Sequence, residues 1–255
     1  MGHRKILGIV GMPYNGSTII QYILNTHPLI RSFGEIYHIE RTFSRDNQTP
    51  LAYCSSCGER HCPIFFDIPW EGDIYAQLYN RSDPKVQLLV DSSKSVPWYA
   101  YLDAQGISDR YEMHYLYLVR EPISWTTSFV NHNGGTHTVA LQAWLDGDTI
   151  IRNYLQPKAN VVVLDYKAFR NTEIQAMLLS QWGVPIVPLD TENYFHVPIH
   201  QVGGNANAFY GQKPFCAVTE QIDRQKIPEA QIEQATQRYY ALLRGDYGQP
   251  RIFAE

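Results

Sequence analysis

The chain has 255 residues, 44% of them hydrophobic and 18% charged, with a formal net charge of −4. That length and composition suit one globular domain with a full core, and the acidic balance argues against nucleic acid as a main partner. No apolar run reaches the roughly 18 residues of a membrane span, and the first strand candidate begins at residue 5, which leaves no room for a secretion signal. The chain therefore reads as soluble and cytoplasmic, with no transmembrane segment.

Residues 5–10, Lys5 to Val10, are an apolar run that reads as a buried strand. A glycine-bounded loop follows, Gly11-Met12-Pro13-Tyr14-Asn15-Gly16-Ser17-Thr18, and then a helix over 17–26 with Ile19, Ile20, Tyr22, Ile23 and Leu24. Strand, loop and helix in this order build a phosphate-binding loop, because amides at a helix N-terminus face an anion and the helix dipole favours negative charge there. The spacing Gly11-x4-Gly16 fits G-x-x-x-x-G-K-[ST], but Ser17 stands where the lysine for nucleoside triphosphates belongs. A loop of this shape without the lysine points to another anion.

Residues 40–85 read as a Cys-containing insertion or lid, with the aromatics Phe65, Phe66, Trp70 and Tyr75. Cys54, Cys57 and Cys62 make half a zinc signature, for which His61 or Cys216 offers a fourth ligand. A disulfide or a plain Cys-rich loop fits the same spacing.

Further strands are expected at 86–91, 114–119 and 160–165, and helices at 94–104, 122–131, 136–156, 171–182 and 228–244. Alternating strands and helices predict a three-layer α/β domain over 1–255, a P-loop-like parallel sheet flanked by helices. Ligands in such sheets sit outside the carboxyl ends of the strands. The second strand runs into Asp91-Ser92-Ser93-Lys94, read as opening a helix; the third into Arg120-Glu121-Pro122, and the fourth into Asp165-Tyr166-Lys167. Cations at these ends of an acidic chain predict a ligand with more than one negative group.

Four segments together resemble the bacterial type of the 3′-phosphoadenosine 5′-phosphosulfate (PAPS)-dependent sulfotransferase family. Pro13-Tyr14-Asn15-Gly16-Ser17-Thr18 resembles its 5′-phosphosulfate loop, usually P-[KR]-S-G-[ST]-[ST]. Arg120 and Ser128, eight positions apart, resemble its 3′-phosphate motif. Val90-Asp91-Ser92-Ser93-Lys94 and His200-Gln201-Val202-Gly203-Gly204-Asn205 resemble two further stretches. The resemblance implies sulfonate transfer from PAPS to an acceptor hydroxyl or amine, with no metal required. It implies PAPS binding by Pro13, Tyr14, Asn15, Gly16, Ser17, Thr18, Arg120, Ser128, Gly204 and Asn205.

Lys94, a cation at a strand end, is the candidate for the leaving oxygen. Glu35, in Phe33-Gly34-Glu35-Ile36, is the first candidate for the base. His38 is the second, because imidazole titrates near neutrality. Two departures stand out. Tyr14 occupies the position of the family's usual lysine or arginine, and Asn205-Ala206-Asn207-Ala208 lacks the basic residue often found near position 208, for which Lys213 is the substitute candidate. A small-molecule kinase and a non-catalytic nucleotide-binding scaffold are the two alternative functions.

Overall fold

The computed structural model describes residues 4–39, 54, 57, 59, 61–66, 68, 72–197, 199–203, 227–246 and 251–252. Its centre is a parallel sheet of β1 (Lys5–Gly11), β2 (Ile30–Ser32), β3 (Leu88–Lys94), β4 (Glu112–Val119), β5 (Val161–Asp165) and the short β6 (Arg251–Ile252). The strand order is β2-β3-β1-β4-β5-β6 and every pairing is parallel. The helices are α1 (Ser17–Leu24), α2 (Ile74–Asn80), α3 (Val96–Ala104), α4 (Ile107–Arg110), α5 (Pro122–Asn133), α6 (His137–Leu155), α7 (Thr172–Gln181) and α8 (Glu229–Arg244). This is the expected α/β architecture. Among the described residues no helix is long and apolar enough to cross a membrane.

Strand periodicity divides the core in two. Side chains alternate across a strand, so Ile6 and Val10 of β1 enter one apolar layer and Leu7 and Ile9 the other. The same alternation sends Tyr115 and Tyr117 of β4 to the first layer and Leu116 and Leu118 to the second. The first layer is closed by Trp98 and Leu102 of α3, Trp125 of α5, Trp144 of α6 and Leu242 of α8. The second is closed by Ile20 and Ile23 of α1 and by Ile174 and Leu178 of α7. Burying one such aliphatic side chain stabilises the fold by about 1.5–3 kcal/mol.

The central strands start and stop within a few residues of their sequence positions, with one consequential shift. The sequence places the end of a strand at Asp91 and the start of a helix at Lys94. In the structure β3 continues through Lys94, and α3 begins at Val96 with Ser95 as its cap, its hydroxyl accepting from the Trp98 amide. The extension is possible because the polar residues find partners in α1 and within the sheet. Ser92 Oγ donates to Gln21 Oε1 (2.8 Å), the Ser93 amide donates to Asp91 Oδ1 (2.9 Å), and Lys94 pairs with Val10 after a register shift in β1. The helix expected from Lys94 is therefore strand at its first residue. β2 and α2, of three and seven residues, are too short to show a period in the sequence.

Candidate active site

β3, β1 and β4 are adjacent, so their carboxyl ends lie side by side. Residues 12–16 leave the middle strand and are fastened chiefly through backbone atoms. Trp125 Nε1 donates to the Pro13 carbonyl (2.5 Å) and Arg120 Nη1 to the Tyr14 carbonyl (3.0 Å). Asn15 is 1% exposed; its Nδ2 donates to Leu118 O (2.9 Å) and its Oδ1 accepts from the Ser17 amide (3.2 Å). Gly16 has φ 90° and caps α1. A Cβ there would stand 2.1 Å from the Tyr166 ring, so both conformation and space demand glycine. Ser17 and Thr18 open α1 and are buried.

Tyr14 also has a left-handed backbone, φ 63°. Its hydroxyl donates to Asn133 Oδ1 (3.2 Å) and its ring stacks on His132 at 4.8 Å between centroids. Both partners come from the last turn of α5. The expected helix over 122–131 stops short of both residues, so these contacts were not legible in the sequence.

Arg120 follows β4 immediately. Its Nε donates to Ser124 Oγ (3.1 Å). Ser124 lies one turn before Ser128 on α5, and Ser128 is buried. The sequence motif pairs Arg120 with Ser128, whereas the first hydroxyl it reaches is Ser124. Glu121 spends its carboxylate on the amides of Ile123 and Ser124, capping α5.

The segment 33–38 starts by continuing β2 alongside β3, the Phe33 amide donating to Val90 O (3.2 Å) and the Ser92 amide to Gly34 O (2.8 Å). Lys94 Nζ lies 2.5 Å from Glu35 Oε1 and 3.1 Å from Ser92 O. His38 Nε2 lies 3.5 Å from Glu35 Oε2. The three candidates for acid–base work thus form one cluster, with Glu35 between a lysine and an imidazole. Glu35 and Lys94 keep 15% and 13% of their side-chain surface exposed, and His38 29%, so the cluster is sheltered yet open to a ligand. Lys94 has φ 62°, a left-handed backbone whose strain is held by its surroundings.

Asp91 supports this arrangement from below. Its Oδ2 accepts from Tyr75 Oη (2.7 Å) and Trp98 Nε1 (2.8 Å), and its Oδ1 accepts from the amide and hydroxyl of Ser93. Burial pushes the Asp91 carboxyl above the usual carboxylate range, and these donors oppose that rise. Ser93 Oγ in turn accepts from the Tyr37 amide (3.2 Å), linking β3 to the turn that carries His38.

Gly204 and Asn205 lie outside the described residues, as do Cys216 and Lys213. Cys54, Cys57 and Cys62 do come together, but their companion is His200. His61, one of the two expected fourth ligands, packs its ring against Phe66 at 4.4 Å instead. The spacing of the cysteines in sequence carries no signal of a partner 138 residues away.

Among solved structures the chain is similar to the sulfotransferase domain of an olefin synthase from Synechococcus PCC 7002. That match has 16% identity and a TM-score of 0.54, and covers 94% of this chain and 97% of that domain. It is also similar to a sulfotransferase from Alicyclobacillus acidocaldarius, with 13% identity and a TM-score of 0.46 over 93% of this chain and 97% of that one. The first likeness shows a shared fold: this chain has the α/β architecture of a sulfotransferase domain. No family model and no curated protein matches the sequence.

Proposed function

We propose that this chain is a sulfotransferase that moves a sulfonate group from PAPS to an acceptor hydroxyl or amine. The observation that carries the reading is the Lys94–Glu35–His38 cluster, set at the end of β3 beside the loop that leaves β1. The shared fold supports it.

The residues present fit a phosphosulfate nucleotide. Gly16 brings the loop backbone onto the N-terminus of α1, where the Ser17 and Thr18 side chains add hydroxyls. Arg120, beside that loop, supplies a guanidinium suited to a phosphate, and Ser128 lies two turns along the helix that follows. PAPS when bound supplies the sulfonate group and a phosphate as leaving group. In this reading loop residues 13–18 and Lys94 hold the phosphosulfate, and Arg120 with Ser124 and Ser128 holds the 3′-phosphate. Glu35 takes the proton from the acceptor hydroxyl or amine, and the Lys94 ammonium, 2.5 Å from Glu35 Oε1, keeps that carboxylate oriented until an acceptor enters. The same ammonium offers positive charge where negative charge grows on the leaving oxygen. Tyr14 brings no charge to the loop, so in this reading that part falls to Lys94. Residues 1–255 form one sulfotransferase-like unit in this reading.

Calorimetry with adenosine 3′,5′-bisphosphate tests the assignment. Micromolar binding is expected for the wild type. Arg120→Ala is expected to weaken it roughly 10- to 150-fold, the ~1.5–3 kcal/mol of a hydrogen bond to a charged group. AMP, which lacks the 3′-phosphate, should bind the wild type as weakly as the bisphosphate binds the variant. Equal wild-type affinity for AMP and bisphosphate would overturn the 3′-phosphate site and with it the PAPS reading.

A further inference from the structure

We propose that Cys54, Cys57, Cys62 and His200 bind one zinc ion, and that this ion pins the segment carrying Glu35. The four ligand atoms all lie within 4.8 Å of one another. His200 Nδ1 is 3.2 Å from Cys62 Sγ and 3.7 Å from Cys54 Sγ. Around a tetrahedral zinc with Zn–S near 2.3 Å and Zn–N near 2.0–2.1 Å, ligand atoms stand about 3.6–3.8 Å apart. The cluster is already close to that size. Three sulfurs and an imidazole are a soft donor set that favours zinc over magnesium or calcium. Cys54 and Cys62 are fully buried, and none of the three described cysteines is in a disulfide. Four protein ligands leave no open position, which makes this a structural centre.

The consequence lies one residue beyond His200. Gln201 Oε1 accepts from Gln21 Nε2 (2.9 Å), and Val202 bridges to Gly34 in parallel fashion. The Val202 amide donates to Phe33 O (2.9 Å), and the Val202 carbonyl accepts from the Glu35 amide (2.7 Å). Gly203, at φ 65°, lies so close that a Cβ on it would stand 3.2 Å from the Glu35 side chain. Residues 201–203 therefore form the wall against which Glu35 is set. A metal on His200 joins that wall to Cys54, Cys57 and Cys62 and removes its freedom to drift, much as outer partners fix ligands at other metal centres. This second half rests on the reading of Glu35 as the base; the metal site itself does not.

Elemental mass spectrometry of protein purified with a thiol reductant and without chelator is the first measurement. About one zinc per chain is expected. Cobalt substitution should give the strong visible bands of a tetrahedral thiolate site. His200→Cys should retain both signals, since a fourth thiolate closes the same centre. His200→Phe should weaken metal affinity at least about tenfold, and Cys57→Ser, at an exposed residue, should do the same with the far-ultraviolet dichroism unchanged. A wild type that takes up no zinc, or a His200→Phe variant that keeps zinc and the cobalt spectrum, would overturn the site. Stoichiometric zinc whose removal leaves sulfonate turnover intact would overturn its positioning role. Metal content is read without nucleotide or acceptor, so its failure is distinct from failure of the sulfotransferase reading, which shows in bisphosphate binding.

Discussion

The loop after β1 and the segment 33–38 face the same edge of the sheet but are built on opposite plans. Residues 12–16 carry no charge and are held mainly at backbone: two carbonyls receive Trp125 and Arg120, and the Asn15 side-chain amide ties the loop to β4 and to the start of α1. Segment 33–38 is held partly through its charged side chains, with Glu35 between Lys94 and His38, and partly by a loop 167 residues away (202 − 35) at Val202. The difference teaches where each region should be sensitive. Changes that disturb the backbone of the first should appear as lost stability. Charge changes in the second should appear in turnover while the fold persists.

The largest expected effect is in the second region. Glu35→Gln keeps the shape and an oxygen for Lys94 but removes the proton acceptor. Under the proposed function kcat should fall about 10²- to 10⁴-fold, with bisphosphate affinity within about twofold of wild type. Parallel loss of turnover and nucleotide affinity would show that the two regions act as one unit and would break the comparison. The next largest is in the first region. Gly16→Ala places a methyl 2.1 Å from the Tyr166 ring at a φ of 90°. The left-handed backbone costs about 1–2 kcal/mol and the overpacking a further 1–3 kcal/mol. Urea unfolding should read a loss of roughly 2–5 kcal/mol from those two sources, and an unchanged midpoint would show that the loop yields freely.

The two plans also explain what could be read in advance. The backbone-held loop is legible because its constraints are local: Gly11 and Gly16 bound the turn, and Ser17 and Thr18 open the helix. Short apolar runs alternating with helical segments made the layered fold legible for the same reason. Residue types for acid–base chemistry could be named at Glu35, Lys94 and His38, but nothing in their spacing states that they meet. Their meeting depends on β3 running on to Lys94, and that extension depends on Gln21 and Asp91 satisfying buried serines. Polar residues in a strand read as its end unless those distant partners are known. His200 was legible as part of a glycine-rich stretch, not as the companion of three cysteines. Short elements such as β2 carry too few residues for any period.

The smallest expected effect gives the sharpest view of how the first region is held. Tyr14 stands where the loop it resembles usually carries a cation, yet the fold grips its carbonyl, through Arg120. Its hydroxyl bond to Asn133 lies at the exposed surface, and its ring rests on His132. Tyr14→Phe removes that one bond and keeps the ring, the carbonyl and the backbone. Exposed hydrogen bonds contribute little because water replaces them, so stability should change by no more than about 0.5 kcal/mol and bisphosphate affinity should stay the same. A loss of 1.5 kcal/mol or more, on the scale of ~0.5–1.5 kcal/mol for a net hydrogen bond, would mean that the tip of α5 clamps the loop through this side chain. The distinction between a backbone-held and a side-chain-held region would then fail at its most exposed point.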